Sequence, residues 1–207
     1  MARFAAVICV FLLVAGAGPA SAVPQSASEF ITVLADTSMD RLTAPDLPRA
    51  ERAQRFRDLF DESFAVTGIA RFVMGRHWRS ATEEQRDEFV DLLVQIVTNT
   101  WAERFREFSR GDFQIVGETA VKSSRADEQD AIMRTAYASD DDGVAINWRV
   151  ANKGDIYKIT DIQVEGVSMV TTYRDEMAAV IRKNGGTIEG LLAEMRQHLA
   201  NITEPTL

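Results

Sequence analysis

One apolar stripe limits what this chain can become. From Thr82 to Phe108 the large apolar residues fall at Phe89, Leu92, Leu93, Ile96, Val97, Trp101, Phe105 and Phe108. Spacings of three and four put all eight on one face of an α-helix. Thr82 followed by Gln85 has the form of a capping box, in which hydroxyl and amide satisfy two orphan backbone donors. Gly111 is a natural stop. At about 1.5 Å per residue this helix is a rod of roughly 39 Å, long for a chain of 207 residues. Its stripe has to be covered along its length, by protein or by something that is not protein.

The first 22 residues stand apart from that fold. Arg3 supplies a short positive region, Phe4 to Val14 an apolar run too short to span a bilayer comfortably, and Ala20-Ser21-Ala22 a cleavage site. That is the pattern of a secretory signal peptide over residues 1–22, leaving one domain over 23–207. Cys9, the only cysteine, lies inside the apolar run and not at its end, which argues against a lipoprotein. The mature chain then has no thiol and no disulfide, and the bacterial periplasm is the expected compartment. Loss of Arg3 leaves 22 basic residues against 31 acidic ones, a net charge of −9. An acidic surface argues against nucleic acid and against lasting attraction to anionic lipid surfaces. No second apolar run approaches 18 residues, so a soluble mature protein is expected, acting as a monomer.

Ahead of the stripe, Glu29 to Leu42 reads as a helix with Phe30, Ile31, Leu34 and Leu42 inward. Pro48 opens a second helix reaching about Val66, with Phe56, Leu59, Phe60 and Phe64 as its apolar face and its charges, Arg52 among them, on a solvated one. Thr67 to Gly75 is a short, densely apolar helix. After Gly111 the period changes from 3.6 to 2. Phe113–Val121, Ala131–Ala138, Val144–Val150 and Tyr157–Val164 read as four strands, the third with Val144, Ile146, Trp148 and Val150 on one face. Asp140 to Gly143 and Asn152 to Asp155 carry turn chemistry, so the last three strands form an antiparallel meander. Ser168 caps a helix carrying Met169, Val170, Tyr173, Met177, Val180 and Ile181, and a last helix carries Ile188, Leu191, Leu192, Met195 and Leu199. The sum is an α+β domain with helices packed on one face of a curved four-stranded antiparallel sheet.

Catalytic equipment is sparse. Two histidines, His77 and His198, far apart in sequence, do not suggest a transition-metal site. No Gly-rich phosphate loop and no G-x-S-x-G motif occurs. Asp161 interrupts an otherwise apolar strand, and with His77 it could serve a polar pocket. Its plainer reading is a hydrogen-bonding acid at the sheet edge. The residues therefore point away from an enzyme, and no cofactor is expected. What remains is apolar surplus, and a helical layer over a curved sheet can leave a pocket for a greasy ligand.

Several blocks carry a resemblance. They are Phe64 to Trp78 with its I-A-R…G…W core, Thr82-Glu83-Glu84-Gln85 followed by Phe89, and Asp161 to Val170 with Tyr173-Arg174. Gly185-Gly186 before Leu191-Leu192 completes the set. In this order they resemble the periplasmic phospholipid-binding MlaC family, also called the toluene-tolerance auxiliary proteins, with a hopanoid-associated branch. Ala65 and Met177 depart from it, where aspartate and phenylalanine are usual. The resemblance implies a cone akin to the nuclear-transport-factor-2-like fold, holding glycerophospholipid tails between sheet and helices as cargo. It also implies exchange with an inner-membrane ABC transporter assembly and an outer-membrane lipoprotein–porin complex, maintaining outer-membrane lipid asymmetry. A hopanoid-associated carrier and a non-lipid periplasmic scaffold with an ordinary core are the alternatives. By face and neighbourhood, tail contacts are expected from Phe72, Val73, Leu93, Val97 and Trp101 on the helices, and from Ile132, Trp148, Ile162 and Val164 on the sheet. Met169 and Tyr173 close the far wall. Arg71 and Arg174 are expected to bridge acids near the mouth, with headgroup contact as the alternative. Within the long helix, Leu93 to Trp101 should face the cargo while Phe89, Phe105 and Phe108 pack against protein.

Overall fold

The computed structural model describes Pro24 and residues 26–102, 113–121, 129–137 and 144–203. The signal-peptide reading and the assignments of Phe105, Phe108 and the turn at Asp140 to Gly143 lie outside the described residues. Six α-helices are described: α1 (Ala27–Leu42), α2 (Arg49–Ser63), α3 (Val66–Met74), α4 (Glu83–Ala102), α5 (Met169–Lys183) and α6 (Ile188–Thr203). A 3-10 turn, Gly75–Arg79, joins α3 to the approach of α4. The strands are β1 (Phe113–Val121), β2 (Gln129–Tyr137), β3 (Val144–Lys153), β4 (Ile156–Val164) and a two-residue β5 (Val167–Ser168). They form one antiparallel sheet in the order β1-β2-β3-β4-β5. Helices and sheet fall where the change of period places them; the fifth strand is the addition.

Local chemistry accounts for the boundaries. The capping box at α4 is closed in both directions, Gln85 N–H donating to Thr82 Oγ1 and Thr82 N–H to Gln85 Oε1, each at 3.2 Å. Ser26 caps α1 and Ser168 caps α5 through Glu29 N–H and Thr171 N–H. Gly75, at φ 57, ends α3 in a backbone conformation that a side chain would strain. The β4–β5 turn is two residues, Glu165 at φ 50 and Gly166 at φ 80. Both are left-handed, as a type I′ hairpin requires. Glu165, the costlier of the two there, is tied to β3: its N–H donates to Ala145 O at 3.0 Å, and its Oε1 accepts from Ala145 N–H at 2.6 Å.

Arg52 corrects the reading of α2 as solvated on its charged side. It is only 2% exposed, and its guanidinium donates to the carbonyls of Leu42, Ala44 and Leu47. Those carbonyls lie at and beyond the C-terminus of α1, where helical bonding has run out. A buried guanidinium is stable here because oxygens surround it.

Among the described residues, two apolar clusters hold the domain. One is almost wholly helical, with Ala70, Val73 and Met74 of α3, Ala81 just before α4, Phe89, Leu92, Leu93 and Ile96 of α4, Met177 and Ile181 of α5, and Leu191, Leu192 and Met195 of α6. The other joins α1 to the sheet through Ala27, Ile31, Met133, Val150 and Ile159, flanked by Phe30, Leu34, Phe64, Trp148 and Ile162. Between them the packing is incomplete.

Candidate functional site

The gap between the clusters is a cavity of about 270 Å³ lined by α1, α2, α3, α4, α5 and the β3–β4 half of the sheet. From α4 it takes Leu93, Val97 and Trp101. These stand at i, i+4 and i+8, one row of the stripe, while Phe89, fully buried, belongs to the helical cluster. From α3 come Ile69 and Val73, again one turn apart. Phe56 and Phe60 of α2, with Phe64 just beyond it, form a second wall as a stacked ladder, with ring centroids 6.4 and 4.2 Å apart. The sheet contributes Ile146 and Trp148 from β3 opposite Val164 and Ile162 from β4, cross-strand partners in register. The Trp148 indole N–H donates to Thr135 Oγ1 at 2.9 Å, and that buried hydroxyl donates to Ile146 O at 3.0 Å. The indole's polar edge is thus satisfied within the sheet and its apolar body is left to the cavity.

Nine of the residues expected from the sequence, Val73, Leu93, Val97, Trp101, Trp148, Ile162, Val164, Met169 and Tyr173, lie around this one space. Two do not. Phe72 is 43% exposed, turned about 100° around α3 from Val73, with the Arg174 guanidinium 4.8 Å above its ring. Ile132 neighbours Met133, which is wholly buried in the sheet cluster. Strand alternation sends Ile132 to the other face, with Arg149 as its cross-strand partner. Ile31, Leu34, Ala35, Ser38 and Met39 of α1 and the Phe56–Phe60–Phe64 ladder also line the cavity, beyond the residues expected from the sequence. The ladder's signal was present as the α2 stripe. Nothing in α1 marked it as cavity wall, because its stripe also serves the sheet.

Among the described residues, Asp161 is the one carboxylate in the lining. It is 6% exposed, and its Oδ1 accepts the Val170 N–H at 3.2 Å. Val170 is the second residue of α5, so the carboxylate sits at a helix N-terminus, where orphan donors and the helix dipole favour negative charge. Asp161, the Glu165-Gly166 turn and the Ser168 cap therefore form one device that folds α5 back onto β4. His77 does not join it. His77 lies on the 3-10 turn, where its Nε2 accepts from Arg76 Nε at 3.3 Å, and it is absent from the cavity wall. Among the described residues, no group of three or more His, Cys, Asp or Glu side chains is placed to hold a metal ion.

A family model described as MlaC protein matches residues 29–197. The chain belongs to the MlaC family. A curated relative, the intermembrane phospholipid transport system binding protein MlaC of Haemophilus influenzae, is 25% identical over 130 residues, covering 60% of this chain. The match spans 58% of that relative's length. Among solved structures, the phospholipid-binding protein of Ralstonia solanacearum, determined in complex with a phospholipid, superposes with a TM-score of 0.70. Its sequence identity is 23%, over 86% of this chain and 99% of that one. That likeness establishes the MlaC fold for this chain, as helices over a curved antiparallel sheet.

Proposed function

We propose that this MlaC-family chain is a periplasmic phospholipid carrier, exported by a signal peptide cleaved near Ala22. In this reading it moves lipid between an inner-membrane ABC transporter assembly and an outer-membrane lipoprotein–porin complex. The cavity carries the proposal. Among the described residues its walls are almost wholly aliphatic and aromatic, and the one carboxylate there, Asp161, is already engaged with Val170 N–H. Such a space suits acyl chains and gives a polar substrate almost nothing to bind.

Acyl burial stabilises by about 0.8 kcal/mol per methylene, so two tails of roughly 15 methylenes represent on the order of 20 kcal/mol of gross transfer from water. A bilayer offers nearly the same. The carrier need only match the membrane for exchange to run either way, and direction then comes from its partners. No catalytic group is called for.

Uptake of a fluorescent phospholipid from liposomes tests the proposal. The mature protein should acquire lipid, and Trp101→Glu should lower occupancy more than it lowers secretion. Equal uptake by the variant would remove Trp101 from the site, and no uptake by the wild type would sink the carrier reading.

A further inference from the structure

The block from Arg71 to Arg79 is only partly explained by the cavity, which uses Val73 alone of its residues. The rest of the segment gathers positive charge. Arg71, Arg76 and Arg79 are exposed, as is Arg174 on the neighbouring α5. Arg174 lies over the exposed Phe72 ring, and its guanidinium nitrogens come within 3.5 Å of where a Cβ on Gly75 would stand. Arg76 and Arg79 are three apart on a 3-10 turn, a spacing that aligns side chains on one edge. Arg174 thus lies over Phe72 and beside Gly75 at the end of α3, with Arg71 in the last turn of that helix and Arg76 and Arg79 on the 3-10 turn that follows.

Among the described residues none of these four is in an ion pair, so the expectation that Arg71 and Arg174 bridge acids does not hold. Elsewhere on the surface, arginines find partners. Arg57 meets Asp91 at 2.7 Å, Arg55 meets Glu51 at 2.5 Å, and Arg196 meets Glu88 at 2.6 Å and Glu189 at 3.0 Å. A chain with 31 acidic residues against 23 basic ones has carboxylates to spare, yet among the described residues none pairs with these four arginines, the exposed Asp175 and Glu176 beside Arg174 included. The helices here are also cavity walls: Ile69 and Val73 of α3, and Met169, Val170 and Tyr173 of α5, face the space behind.

We propose that this face, Arg71, Phe72, Arg76, Arg79 and Arg174, docks an acidic surface of a membrane-bound protein partner. Charge complementarity selects an anionic occupant, and the whole molecule's charge selects protein over lipid. A net charge of −8 repels an anionic bilayer at long range. Within a Debye length of about 8 Å, unpaired guanidinium groups can meet carboxylates on an opposing protein. Arginine and exposed aromatics, phenylalanine included, are also enriched at protein interfaces. The proposal rests on the carrier reading only in placing the partner at a membrane.

Arg76→Glu/Arg79→Glu, at two positions outside the cavity, tests it. Mature wild type and variant are incubated with inner- and outer-membrane vesicles and sedimented, and lipid load is measured by mass spectrometry on the same samples. Wild type should bind one vesicle type, less as salt is raised and not after the vesicles are shaved with protease. The variant should bind roughly tenfold less, the fold-change of about 1.4 kcal/mol, with its lipid load unchanged. Undiminished binding by the variant would overturn the proposal. So would no wild-type binding to either vesicle type, or equal binding to protein-free phosphatidylglycerol liposomes. An empty cavity with intact, charge-dependent binding would instead contradict the carrier reading and leave the docking face standing.

Discussion

Arg52 and Asp161 are the two residues whose chemistry the chain pattern most understates. Arg52→Met keeps length and apolar stem but leaves the Leu42, Ala44 and Leu47 carbonyls without their donor. Unsatisfied buried acceptors cost about 1–3 kcal/mol each, so the variant should lose about 3 kcal/mol in urea unfolding, with α1 loosening first. Asp161→Leu removes the acceptor for Val170 N–H and the negative charge at the α5 N-terminus. Loss of such a cap costs about 1–2 kcal/mol. Asp161→Asn, which keeps an acceptor, should lose less, and the order of the two variants in thermal unfolding checks the assignment. Neither role could be read from composition: one arginine among many acids looks solvated until the end of another helix is folded against it. The Asp-to-Ser block was visible as a unit, and the structure supplies its reason, a capped helix returned by a type I′ turn.

Among the elements, α4 was the most legible and the least complete. A period of 3.6 gave its face and its capping box, but a stripe cannot say which of its rows meets protein. That division came from tertiary placement, with Phe89 in the helical cluster and Leu93, Val97 and Trp101 on the cavity. Val97→Trp fills space between walls that nothing else fills. It should leave stability within about 1 kcal/mol of wild type or raise it, while lipid occupancy falls severalfold; a loss of several kcal/mol would mean the site is already packed. On the sheet, the strands were legible and one face assignment was not. Ile132 and Met133 are both apolar, so alternation alone could not choose between them. The shifts in register at Ile115/Gly117 and Arg149/Val150 also break the count between strands. In α3, four apolar residues in one short helix exceed what one face can hold, and Phe72 is the one left outside. Between α4 and α6, Arg196 bridges Glu88 and Glu189. The hydrogen bond from Arg196 holds the Glu88 carboxyl below the usual carboxylate range. A lowered folded-state value stabilises above the unfolded pKa near ~4.3 and is lost as pH falls through the folded one. At this exposure, Glu88→Gln should cost under about 1 kcal/mol at pH 7, and the difference from wild type should vanish as the pH falls to about 2.

At the scale of the whole molecule, the described residues form two apolar clusters with a gap between them. Filling it should tie the clusters together. Hydrogen exchange in α1 and in the first turn of α5, both of which line the cavity, should slow when the protein takes up phospholipid from liposomes; unchanged exchange there would mean that cargo does not enter the cavity. The most direct test of the central claim is to isolate the mature protein natively, extract it with organic solvent and weigh what comes out by mass spectrometry. About one phospholipid per chain should be recovered, and lost in Val97→Trp. A protein that repeatedly yields no stoichiometric lipid, and takes none from liposomes, would contradict the claim.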